Sequence, residues 1–107
     1  MRYYKDLYIT DALKKKKIKI IKKMEAGKFI PGIHIITLAA NPKNHLEIWH
    51  YPILLQPSFP KKDFFVVGIT KGYEEALEFV EEIVQEVYNK TEGTDIRSYI
   101  LSKVQEG

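Results

Sequence analysis

Two short runs limit what this chain can fold into. Residues 33–40, IHIITLAA, and 63–70, DFFVVGIT, are β-branched, aromatic and apolar at consecutive positions. Strand side chains alternate between faces, so an unbroken apolar run predicts a strand that needs cover on both. Gly68 inside the second run points to a bulge or a close backbone approach. Between them, Asn41-Pro42-Lys43-Asn44 has the chemistry of a turn, and residues 45–51, HLEIWHY, read as an antiparallel partner. Pro52, Pro57 and Pro60 then discourage a regular central strand, although ILLQPSFPKK is apolar enough that part of it must be covered.

Two amphipathic helices flank these strands. Residues 10–26 place Leu13, Ile20, Ile21 and Met24 at helical spacing, with Lys17 inside the stripe; Thr10 or Asp11 is placed to cap the start and Gly27 to end it. The aromatic segment before it, MRYYKDLYI, reads as a lead-in turn or extra helical turn. Residues 73–88 put Ala76, Leu77, Val80, Ile83, Val84 and Val87 on one face and glutamates on the rest. Asn89 to Gly93 breaks that helix. Thr94 is placed to cap a short final one that buries Ile96, Ile100, Leu101 and Val104.

Strands grouped between helices predict an α+β fold, a single domain over residues 1–107. The expected form is a small, mainly antiparallel three-stranded sheet with both long helices on one face and a short C-terminal helix. A meander and a 2-1-3 strand order both fit. Two helices cover only one face of such a sheet, so the other, with Trp49 and the 53–59 loop, needs its own cover. Either the loop and final helix supply it, or a second copy does, which makes a homodimer one expected outcome.

The chain has no cysteine, which excludes disulfides, thiolate metal sites and a Cys nucleophile. No apolar stretch approaches the roughly 20 residues of a membrane span, so a soluble cytoplasmic protein with no membrane partner is expected. The net charge of +3 hides an asymmetry: residues 1–53 hold 11 basic and 4 acidic side chains, residues 54–107 hold 6 and 10. Such a division points to an electrostatic partner, or to two elements that face each other.

The basic half is concentrated in one helix. Lys15, Lys16, Lys19, Lys22 and Lys23 lie opposite its apolar stripe, an outward row of ammonium groups able to meet phosphates. The helix has no Arg to fork onto guanine and no Asn or Gln to pair with adenine, so nucleic acid would be held by its backbone, without sequence readout. A solvated face, or the acidic helix of another copy, would account for the same row. Pairing between copies would weaken with salt.

Other candidates carry less. His45-x-Glu47-x-x-His50 has ligand residue types, but His50 falls on the opposite strand face from the other two, and no metal or other cofactor is expected. The junction Gly68-Ile69-Thr70-Lys71-Gly72-Tyr73 resembles a phosphate cradle only loosely, because Glu74 and Glu75 fill the first helical turn and repel an anion. Ser58, Ser98 and Ser102 lack a nucleophile elbow, and the glutamate pairs lie on an exposed helix face. Trp49, Tyr51, Phe59, Phe64 and Phe65 read as core more readily than as base-stacking platforms. The sequence thus favours a small non-enzymatic binding or assembly module, self-associating, whose lysine helix contacts an anionic partner such as nucleic acid. The alternative is a small-molecule site or minor enzyme under the 52–62 loop, using His34, His50 and Tyr51.

Overall fold

The computed structural model describes residues 1–39, 45–57 and 64–106. The expected turn at 41–44, Ser58, Phe59 and the side chain of Val104 lie outside the described residues. Among the described residues four strands are formed: β1 (Arg2–Ile9), β2 (Ile33–Leu38), β3 (Leu46–His50) and β4 (Phe65–Lys71). They lie in the order β1-β4-β2-β3, with β1 parallel to β4 and the other neighbours antiparallel. The three strands expected from the sequence therefore adopt the 2-1-3 order, and a fourth adds a parallel edge. The fold is α+β, with a mixed sheet and three helices: α1 (Lys17–Glu25), α2 (Tyr73–Thr91) and α3 (Ile96–Glu106). Among the described residues no helix is long and apolar enough to cross a membrane.

The fourth strand corrects the reading of the N-terminal segment as a turn. Tyr4 and Tyr8 face one side of the sheet and Tyr3, Leu7 and Ile9 the other, each joining the core of its own layer. Aromatic and β-branched residues favour the pleated surface. The polar Lys5-Asp6 pair interrupts their alternation, and the β1–β4 register is irregular between Tyr3 and Tyr8.

The long helices do not share a face, which corrects the two-on-one arrangement. α2 and α3 cover one side, packing Ala76, Ile83, Val87, Ile96 and Ile100 against Ile36, Leu38, Phe65 and Val67. α1 covers the other with Ile20 and Met24, joined by Leu13 from the 3-10 turn at Asp11–Lys16 and by a second 3-10 turn at Tyr51–Leu55 that adds Tyr51, Leu54 and Leu55. Leu54 and Leu55 of the proline-punctuated stretch are thereby half-buried, while Ile53 stays exposed. Of the cover expected from the 53–59 loop with the final helix, or from a second copy, the loop supplies its part through this turn, and α1 stands in place of the final helix.

Helix ends follow local chemistry with two exceptions. Gly27, at φ +68°, donates to the Met24 carbonyl while Lys28 N–H donates to Lys23, closing α1 in the double-bonded C-terminal motif that favours glycine. The first half of the expected helix is instead 3-10, over Asp11–Lys16, and the Thr10 side chain makes no cap. Its hydroxyl donates to Glu75 at 2.7 Å and accepts from the Lys71 N–H, tying β1 to the start of α2. Asp95, rather than Thr94, caps α3 by accepting from the Ser98 N–H and hydroxyl, which hold its carboxyl below the usual range.

Gly68 sits beside an irregularity in β4. Ile36 pairs with Gly68 but Thr37 pairs with Val66, so one extra residue is accommodated. Val67 and Gly68 then face the same layer, and a Cβ on Gly68 would lie 2.9 Å from Ile36 Cδ1 and 3.3 Å from the Tyr8 carbonyl. Replacing Gly68 with Ala is expected to lower stability by about 1–3 kcal/mol through overpacking. Urea titration should show an earlier midpoint with an unchanged slope; an unchanged midpoint would mean that the close contact relaxes freely.

Candidate functional site

The strongest concentration of uncompensated charge borders α1. Lys16, which ends the 3-10 turn, precedes Lys19 and Lys23 of α1 at spacings of three and four residues, and the three line one side of the continuous helical segment. They line a groove of about 320 Å³ whose apolar wall and floor include Leu13, Ile20, Ile30, Pro31 and Ile33. A fourth ammonium group, from Lys71 at the end of β4, closes the far side. Gly32, at φ +74°, accepts from the Gly72 N–H at 3.0 Å, and this bond fixes the α1–β2 connector beside Lys71. Among the described residues, no carboxylate lines the groove. Lys15, on the 3-10 turn, and Lys22, on α1, are also exposed. Among the described residues, Lys14 is the one lysine of this segment in an ion pair, with Asp11 at 2.8 Å.

The five lysines read from the sequence thus divide: Lys16, Lys19 and Lys23 in the groove, Lys15 and Lys22 beside it. Lys71 was legible only as part of the β4–α2 junction. That junction is a structural helix start. Thr70 is buried and donates to the Gly72 carbonyl, and Glu75 accepts from Thr10 and from the Lys71 N–H. The Lys71 side chain belongs instead to the groove, a placement set by the connector about 40 positions away in sequence, which no local pattern reveals.

The histidine and tyrosine candidates are split by the sheet. His34 and His50 are direct partners across β2 and β3, and their rings stack at 4.8 Å on the α2 side, with Tyr73 edge-on to His34 at 5.9 Å. Tyr51 packs in the opposite layer, 1% exposed, its hydroxyl donating to the Lys28 carbonyl at 2.9 Å. It anchors the segment after α1, and burial pushes its phenol up, with the Glu25 charge adding to the effect. Glu47 falls on the Trp49 face of β3, away from His50. Among the described residues no three His, Asp or Glu side chains converge as a metal site.

Two further concavities are lined in part by groups already engaged. One of about 620 Å³, between the 3-10 segment and α2, is bordered by Asp11, Glu75, Glu78 and Glu82. The other, about 250 Å³ at the end of the sheet, holds Arg2, Glu47, Trp49 and Arg97; there Arg97 donates to the Ala39 carbonyl and Trp49 to the Thr37 hydroxyl. Ser98 donates to Asp95 as part of the α3 cap, and Ser102 donates to the Tyr99 carbonyl.

The His34 ring has a pH consequence. Burial lowers its pKa from the ordinary 6.5, the neighbouring His50 lowers it further, and its buried Nδ1 has no partner. The unfolded chain therefore takes up this proton first as pH falls, so the stability contribution is complete above 6.5 and declines below it, toward the lowered folded value. Melting temperature is expected to drop between pH 7.5 and 5.5, with a smaller drop in His34→Gln. Equal drops in both proteins would place the acid sensitivity elsewhere. Compared with protein-family models, curated proteins and solved structures, the chain matches none.

Proposed function

We propose that this chain is a small, cytoplasmic, non-enzymatic binding module whose lysine face holds an anionic partner through its phosphates, with a nucleic acid backbone as the favoured partner. The observation that supports this reading is the convergence of Lys16, Lys19, Lys23 and Lys71 on one groove without a carboxylate among its lining residues. Four ammonium groups held this way repel one another, and an anion relieves that repulsion while displacing its own counterions. Lys15 and Lys22 extend the positive surface beyond the groove, as an extended polymer requires. Sequence readout is not part of the proposal, because lysine lacks the planar fork that discriminates base edges.

Self-association takes a narrower form than a two-fold dimer. α1 and α2 lie on opposite sides of the sheet, so pairing the lysine helix of one copy with the glutamate helix of another joins unlike surfaces and propagates head to tail. Covering the sheet gives no reason for a second copy.

Fluorescence anisotropy with mixed-sequence DNA and RNA, single- and double-stranded, tests the proposal. Four phosphate contacts predict micromolar binding near 50 mM salt that weakens roughly a hundredfold near 200 mM for duplex DNA. The combined change Lys16→Glu, Lys19→Glu and Lys23→Glu should abolish it. Absence of binding at the lower salt, or binding indifferent to these changes, would overturn the reading.

A further inference from the structure

The opposite layer carries a second unpartnered surface, and it does not depend on the lysine groove. α2 buries Ala76, Ile83 and Val87, yet its apolar character continues around the helix. Tyr73, Leu77, Val84 and Tyr88 remain 53%, 42%, 40% and 55% exposed. At about 100° per residue these four fall within an arc of roughly 60°, forming a stripe about 22 Å long. The stripe continues onto the edge strand. Tyr73 meets His34, His34 stacks on the exposed His50, and half-buried Ile48 and Leu46 lie on the same face of β3. Exposed Glu74, Glu78 and Glu81 run along its outer flank.

We infer that this surface docks a basic amphipathic helix from a partner protein. A stripe four turns long, tipped at both ends by tyrosine, fits a helix that presents apolar anchors every three and four residues. The flanking carboxylates select Lys or Arg beside those anchors and reject acidic helices. The same carboxylates disfavour a two-fold dimer through this surface, because they would confront their own copies across the axis. Nor does α1 of a second copy match it, since Ile18, 70% exposed, is that helix's one large exposed apolar side chain among the described residues.

The test uses the full chain and three synthetic 18-residue peptides. One places Leu on a single helical seam with Lys elsewhere, the second replaces Lys with Glu, and the third keeps the Lys/Leu composition with Leu scattered. The first should bind with micromolar affinity and shift the backbone amide resonances of residues 73–88 and 46–50; the other two should bind at least tenfold more weakly. Leu77→Ser with Val84→Ser, both at exposed positions, should cost at least tenfold in affinity while the remaining spectrum is unchanged. Glu78→Lys with Glu81→Lys should shift preference toward the acidic peptide. The inference is overturned if the scattered peptide binds equally well or if the shifts map elsewhere. It is also overturned if the chain alone sediments as a dimer that Leu77→Ser dissociates, which would assign the surface to a second copy.

Discussion

Burial of β4 and β2 on both faces is the constraint that organises this molecule. Val66, Val67, Ile69, Ile35 and Ile36 are all fully enclosed, and they point alternately into two separate cores. Neither core can be closed by the sheet itself, so each demands a helical layer. β1 then holds the layers together from one edge. Tyr3 donates to Glu25 of α1, while Tyr8 and Thr10 donate to Glu86 and Glu75 of α2. Hydroxyl donors on opposite faces of a single strand thus reach carboxylates in both layers. Burial and these acceptors raise the Tyr3 and Tyr8 phenols well above their ordinary range, which keeps them protonated as donors.

Much of this was legible because local chemistry and tertiary need agreed. The alternation of apolar and acidic residues over 73–88 specifies a helix whatever surrounds it, and Gly27 ends α1 where a positive φ is required. Gly68 announced both the irregularity of β4 and the close approach of Ile36. The two-sided runs even stated that a second cover was needed. What could not be read was its source. A parallel pairing between residues 2–9 and 65–69 leaves no turn signature, so the tyrosine-rich segment looked like an appendage. The layer assignment failed for a related reason, since an amphipathic stripe says that a helix has a buried side but not which sheet face will receive it.

The candidate site shows the same division. Helical spacing alone gathers Lys16, Lys19 and Lys23. Lys71 joins them through the pairing of β2 with β4, which sets Ile33 opposite Lys71, and the Gly72 to Gly32 hydrogen bond, contacts between segments about 40 positions apart in sequence. The histidine pair is the reverse case: His34 and His50 were each visible, but their stacking depends on register, and one residue of slip would put them on opposite faces. Tyr51, plausible as a polar group under a loop, became a core residue because its hydroxyl found a carbonyl inside the protein. Residue type suggested chemistry in each case, and the hydrogen-bonding partner decided it.

Placing α1 and α2 on opposite sides also makes the sheet an insulator. Its apolar interior separates a cationic helix from an anionic one, across a molecule whose shortest dimension is 28 Å. Charge divided across a weakly polarisable slab gives the particle a dipole roughly perpendicular to the strands, where a mixed surface would have averaged it away. Near a polyanion such a particle would rotate before touching, its lysine side turned inward and the tyrosine-tipped helix left facing the surrounding solution.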